Sequence, residues 1–142
     1  MRIHLGREIW NKAAAFYVRM NVFVLERSIA LEDEFDTTDE DETLYVVIYE
    51  GKQPVATGRV TYMDEQTVRP GRIAVLDVYQ GKGLGARVLQ EIEKIAQERG
   101  RTVSCIHSEE VSVGFYLKQG YKIVSDVFEE DGVPCVEMRK QF

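Results

Sequence analysis

The sequence predicts an α/β fold in which a mixed sheet is organised around one central strand–helix–strand unit. Three observations point there. First, residues 71–100 read as an apolar strand, a glycine-rich turn and a long amphipathic helix. Arg72-Ile73-Ala74-Val75-Leu76-Asp77-Val78 has the β-branched content of a buried strand. Glycines then alternate at Gly81, Gly83 and Gly85. Leu84, Val88, Leu89, Ile92, Ile95 and Ala96 recur at helical spacing until Gly100 supplies a stop. Second, residues 102–107 form a further strand, so the helix makes a crossover whose two strands pair in parallel. Third, segments 44–49 with 55–62, and 121–128 with 133–139, read as hairpins and are therefore antiparallel.

The other elements follow in chain order. Residues 1–5 alternate apolar and polar and form an opening strand stopped by Gly6. From 7 to 27 the period turns helical, through Ile9, Ala13, Phe16, Tyr17, Met20 and Phe23. The run Val22-Phe23-Val24-Leu25 buries that helix end on more than one side. Residues 32–42 carry many carboxylates and no base. This run is either a solvated loop or a negative wall beside a binding site. A polar stretch from 63 to 70 leads into the central strand, and 111–119 is a short helix ended by Gly120. There is no internal repeat or linker, so one domain spanning 1–142 is expected.

Composition bounds the function. A chain of 142 residues with 44% hydrophobic content suits one soluble domain, and no apolar run has transmembrane length. The N-terminus lacks a signal-peptide core, which predicts a cytoplasmic location and no membrane partner. The net charge of −6, without a basic run, argues against nucleic acid and suits a cationic or amine-bearing small molecule. Cys105 and Cys135 lie far apart in apolar strands. They read as buried reduced thiols rather than a disulfide or metal site, and no metal is expected.

Glycines just before a helix let a ligand approach the backbone, where free N–H groups and the helix dipole favour phosphate. Three phosphate-binding patterns compete for this turn. A P-loop requires Ser or Thr after its lysine, and Lys82 is followed by Gly83. A dinucleotide fingerprint is met by Gly81, Gly83 and Ala86, with Glu109 near the place of a ribose-binding acid. That fold puts its glycine turn in the first βα unit, whereas this turn lies mid-chain. The third pattern is Gln80-x-x-Gly83-x-Gly85, which resembles the Q/R-x-x-G-x-G/A signature of the GNAT superfamily of acyl-CoA-dependent N-acyltransferases.

The resemblance extends along the chain. Phe115-Tyr116-Leu117-Lys118-Gln119-Gly120-Tyr121 looks like the family's F-Y-x-x-x-G-F/Y motif. Val18-Arg19-x-x-Val22-Phe23-Val24-x-Glu26, Glu34-x-Asp36-x-x-Asp39 and Glu130-Asp131-Gly132-Val133-Pro134-Cys135-x-x-Met138 resemble its small bacterial ElaA-like/YjcF-like branch. Arg27 and Glu109 depart from that branch, which has Gln, and Gln or Asn, at these places. Ala30 stands where the branch has Pro, and Cys135 where it has His.

The resemblance implies the order β-α-α-β-β-β-α-β-α-β-β with helices on both faces of the sheet. It implies acetyl-CoA as cosubstrate, its pyrophosphate on Gln80, Gly81, Lys82, Gly83, Leu84, Gly85 and Ala86. The backbone of Ile73, Ala74 and Val75 would hold the pantetheine arm and polarise the thioester. Tyr116 is the family-matched acid for the leaving thiolate. On the acceptor side Glu26, Glu34, Asp36 and His107 are each open as the base, as is a water chain. The acceptor is expected to be a cationic small-molecule or peptide amine, attacked directly in a ternary complex. A non-catalytic acyl-CoA sensor is the competing reading, and there is room for a homodimer.

Overall fold

Side-chain alternation along one strand shows how the sheet is covered. In the computed structural model, which describes residues 1–142, β2 (Leu44–Glu50) turns Val46 and Ile48 to one face and Tyr45, Val47 and Tyr49 to the other. Both sets are buried. Helix α3 (Leu84–Glu98) covers the first face with Leu84, Val88, Ile92 and Ala96. Helix α1 (Ile9–Arg19) covers the second with Ala15 and Phe16. A strand covered on both faces needs a continuous apolar run, and 44–49 has one.

The remaining strands are β1 (Arg2–Gly6), β3 (Gln53–Tyr62), β4 (Thr67–Val75), β5 (Val103–Glu109), β6 (Lys122–Ile123), β7 (Phe128–Glu130) and β8 (Val133–Gln141). They form one sheet in the order β1-β2-β3-β4-β5-β8-β6, with β7 also beside β8. β4 and β5 are parallel, as the crossover requires, and the other pairs are antiparallel. The mixed sheet with helices on both faces thus forms as the sequence implies. Gly58 of β3 lets α3 press close, since a Cβ there would meet Val88 Cγ1 at 2.5 Å. No helix is long and apolar enough to cross a membrane.

Several boundaries differ from the sequence reading, each for a physical reason. The helix expected over 7–27 ends at Arg19 and continues as a π-helical segment, Met20–Glu26. That segment turns Val22 and Phe23 onto Ala74 of β4. The central strand expected over 72–78 is Thr67–Val75, and Asp77–Tyr79 is a 3₁₀ turn. Pro70 and Gly71 make the polar stretch read as a connection, but they sit inside the strand at an irregularity in its register with β3. The strand expected over 121–128 is broken into β6 and β7. Within the acidic run, Leu31–Glu34 makes a short helix, α2.

Candidate active site

The sheet opens between its two parallel strands. β4 pairs with β5 only at Thr67↔Val103 and Val68↔Ser104, whereas β5 stays paired with β8 up to Glu109↔Cys135. The parting begins where β4 is irregular. Its register with β3 shifts beside Gly71, and Arg72 takes a left-handed φ of 51°. Beyond it, Leu76 N–H donates to Val55 O, and Gln80 Nε2 donates to Val75 O at 3.1 Å. By the alternation of an antiparallel ladder, Val75 and Ile73 turn their main-chain groups away from β3 and into the opening. Ala74 has the opposite phase. Its amide belongs to the ladder with Thr57, and its side chain meets Val22 and Phe23.

The glycine turn stands at the end of this opening. Gly81 and Gly83 both have φ of 78°, a conformation that costs an L-residue about 1–2 kcal/mol. Nothing lies within 4 Å of either Cβ position, so both face open space. Gly83 begins α3, and no side chain caps the helix. The first bond back to it comes from Arg87 N–H to Gly83 O. The amides of Leu84, Gly85 and Ala86 are therefore the orphan donors of a helix N-terminus. Gln80 fastens the turn to β4, and Lys82 Nζ lies 5.3 Å from the centre of the Tyr79 ring. Together these groups form an anion cradle. On its other side Phe115 lies 3.6 Å from the Gly85 Cβ position, which brings α4 (Val113–Lys118) to the same place.

Tyr116 of α4 is half-buried, with its ring against Phe115 and Tyr121. Burial, and secondarily the Glu109 carboxylate, push its hydroxyl up to about 12, so it holds its proton at neutral pH. Glu109 ends β5 and is ion-paired with Arg27, the residue closing the π-helical segment. The Arg27 guanidinium also lies 5.6 Å from the Phe23 ring centre. In the sequence Arg27 stands out only as a departure from a pattern, and Glu109 as such a departure and as a candidate ribose-binding acid. Their meeting is visible in the structure alone, because 82 positions separate them.

The acidic run folds back onto buried arginines. Arg19, 1% exposed, donates from Nε to Glu34 at 2.8 Å and from Nη1 and Nη2 to Asp39 at 2.7 and 2.9 Å. Its guanidinium lies 5.0 Å from the Phe16 ring centre and 4.9 Å from that of Phe35, two rings that also meet edge to face. Arg59 reaches Asp36 and Asp39, Arg72 reaches Glu34 and Asp36, and Tyr45 OH donates to Asp39. This corrects the acceptor-side expectation for Glu34, whereas the Asp36 side chain keeps 35% exposure. Glu34 is 2% exposed and held between two guanidiniums, and Asp36 is shared by two arginines. The network also grips Arg72, the residue at which β4 bends away. The tip of the run lies elsewhere. With Tyr62 and Arg99 it lines a shallow cavity of about 390 Å³ at the C-terminal end of α3, opposite the glycine turn.

Of the other expected acceptor-side residues, Glu26 is exposed beside Arg27. His107 is engaged by its neighbours. Its Nδ1 lies 2.7 Å from Arg69 Nη2 and 3.3 Å from Glu130, and its Nε2 is 3.6 Å from Glu137. Cys105, His107 and Glu137 converge within 4.8 Å, but Arg69 bonds to His107, and Arg139 bonds to Glu137 and neutralises the one carboxylate of the group. Burial, and next the Glu137 carboxylate, push the Cys105 thiol up to about 11. Burial, followed by Glu130 and Glu109, also raises Cys135.

A sheet parted between β4 and β5, with an uncapped glycine turn at its mouth and a tyrosine helix beside it, defines an acyl-CoA acyltransferase of the GNAT type. The chain matches the acetyltransferase (GNAT) domain model over residues 5–142 and belongs to that family. It is 35% identical over 127 residues to the uncharacterised N-acetyltransferase YjcF of Bacillus subtilis, covering 89% of each chain. A crystal structure from Lactobacillus plantarum, described as an N-acetyltransferase, superposes with a TM-score of 0.95 at 36% identity, over 99% of this chain and 97% of that one. An aminoglycoside 6′-N-acetyltransferase complexed with coenzyme A shares the fold, with a TM-score of 0.78 at 16% identity over 99% and 97% of the two chains.

Proposed function

We propose that this acyltransferase moves an acetyl group from acetyl-CoA to a primary amine by direct attack in a ternary complex. The observation that supports the reading is the opening between β4 and β5, with an uncapped glycine turn at its end and the protonated Tyr116 on the neighbouring α4. The pyrophosphate takes the amides from Gly81 to Ala86, at the positive end of α3. Main-chain N–H groups of Ile73 and Val75 polarise the thioester carbonyl and stabilise the negative oxygen that forms on attack. The neutral amine forms the C–N bond. As the C–S bond breaks, the thiolate takes the Tyr116 proton, and the amine's own proton leaves to solvent.

A cysteine-linked intermediate is disfavoured. Both thiols are held protonated by burial and by neighbouring carboxylates, and buried apolar thiols are inert. A sensor reading leaves Tyr116 without a task, since a protein that only binds acyl-CoA has no thiolate to protonate.

Thiol release from acetyl-CoA with polyamines, amino sugars, amino acids and peptide N-termini tests the reaction. Release that depends on the amine and yields the amide is expected. Binding of acetyl-CoA without amine-dependent release would overturn the reading in favour of a sensor. Tyr116→Phe should lower kcat about a hundredfold with acetyl-CoA affinity unchanged.

A further inference from the structure

The opening has two lips, and one ion pair joins them. On the β4 side, Phe23 of the π-helical segment packs against Ala74, and Arg27 leans over Phe23. On the β5 side, Glu109 is the last residue of the strand. The Arg27–Glu109 pair therefore crosses the gap on the face that carries α1, opposite the face covered by α3. We propose that Glu109 is the carboxylate that binds a cationic group of the acceptor, and that Arg27 occupies this place until the acceptor displaces it. The inference rests on the acetyl-transfer reading above and names the class of acceptor for that site.

Four observations support it. The pair is accessible: the Arg27 and Glu109 side chains are 41% and 29% exposed, against 1% and 2% for Arg19 and Glu34. One cation can replace the other there without burying a bare charge, which the Arg19 network does not permit. Glu109 also closes β5 just ahead of the turn that leads into α4, the helix that carries Tyr116. Arg27 is held loosely, having besides Glu109 only the face of Phe23. Finally, π-helical turns such as Met20–Glu26 concentrate at functional sites, and this one delivers Arg27 to the gap. An ammonium suits Glu109, whereas an anionic acceptor meets a carboxylate and is repelled.

The test compares wild type, Glu109→Gln, Arg27→Gln and the swapped pair Arg27→Glu/Glu109→Arg. Spermidine, glucosamine and lysine amide serve as probes. Binding to the coenzyme A complex is followed by calorimetry at low salt, and acetyl transfer by thiol release. Thermal melts and acetyl-CoA affinity check folding. Glu109→Gln should weaken probe binding and raise acceptor KM roughly tenfold, the loss of one hydrogen-bonded charge, with acetyl-CoA affinity unchanged. Arg27→Gln should shift both in the opposite direction, because the competing cation is gone. The swapped pair should restore the melting temperature but not probe binding, since an arginine then stands where the ammonium belongs. Equal acceptor KM in wild type and Glu109→Gln would overturn the inference while leaving acetyl transfer intact. Weaker binding in both single variants would overturn it too, as would rescue of binding by the swap. A wild-type protein that binds acetyl-CoA but neither binds nor acetylates any probe defeats both readings.

Discussion

Two stretches of this chain stand out in sequence, the glycine turn at 81–85 and the acidic run at 32–42, and the fold puts them to opposite uses. The turn ends with donors that nothing in the protein satisfies. The start of α3 has no cap, and Gly81 and Gly83 face empty space. The core of the acidic run ends with its charges answered internally, Glu34 and Asp39 by Arg19, and Asp36 by Arg59 and Arg72. An unsatisfied polar group on an accessible surface invites a ligand, whereas a satisfied one is scaffold. The two regions are also coupled. The closed cluster grips Arg72 at the bend of β4, and that bend creates the gap on which the open turn stands.

The sharpest way to break the comparison is to remove the central cation of the closed region. Arg19→Met should cost about 3–5 kcal/mol in guanidinium unfolding, because Glu34 and Asp39 are left buried without their partner. A loss under about 1 kcal/mol would mean the carboxylates can reach water, and the region would no longer count as closed. Acid probes the same contacts. Burial pushes Asp39 up, but the hydrogen bond and charge of Arg19 outweigh it and bring the group from its ordinary 3.8 to about 2. Asp36 is also lowered, burial again being outweighed by Arg59. Groups depressed in the folded state stabilise it fully above their unfolded values, and that contribution is lost as pH falls through the folded ones. Glu34 runs the other way. Burial outweighs its partners and raises it, so its contribution is present at low pH and lost as pH rises. Circular dichroism should therefore place the aspartate-linked loss between about pH 4 and 2, and a transition completed above pH 5 would contradict that assignment.

A smaller effect is expected at the open region. Gly83→Ala adds one methyl into empty space, yet it must hold φ at 78°. It should cost about 1–2 kcal/mol of stability and lower acetyl-CoA affinity about tenfold as the amides turn away from the phosphates. Gly85→Ala is the contrast. Its Cβ would make ordinary contact with Phe115 at 3.6 Å in a helical conformation, so stability should stay within about 0.5 kcal/mol. Equal behaviour of the two variants would show that the left-handed backbone at Gly83 does not set the cradle.

How far each region can be read from sequence follows from the range of its contacts. The turn is local. Strand, glycines and helix lie within thirty consecutive residues, and periodicity alone places them. The closed cluster depends on Arg19, Arg59 and Arg72, which occupy a helix, a strand and a bend far apart in sequence. The one local hint is an arginine on the apolar face of α1, flanked by Val18 and Val22. Charge counting, blind to those distant cations, turns the acidic run into a wall. The strand boundary at 67 is hidden for a related reason. Pro70 and Gly71 normally end a strand, but β4 carries them at a bend that β3 supports from one side only. The Arg27–Glu109 pair depends on a fold-level meeting that no window of sequence contains.

The weakest expected effect is the one that best separates the two regions. Glu40, Asp41 and Glu42 belong to the acidic run but not to its buried cluster; all three are exposed, and Glu42 only approaches Arg7, at 3.9 Å. They sit towards the C-terminal end of α3, and a helix of 15 residues puts that end about 20 Å from its glycine-rich start. That distance exceeds two Debye lengths of about 8 Å at physiological salt, so their field at the gap is largely screened. Replacing them together with Gln, Asn and Gln should change stability by less than about 0.5 kcal/mol and leave acceptor KM unaltered at physiological ionic strength. Repeating the kinetics at about 0.01 M salt, where the Debye length grows to about 30 Å, gives the variant its best chance to differ. If KM then rises for cationic amines and falls for anionic ones, the run does steer acceptors over distance, and scaffold and site are not separate after all. If it does not move, acceptor charge is read at the gap itself, where Glu109 stands.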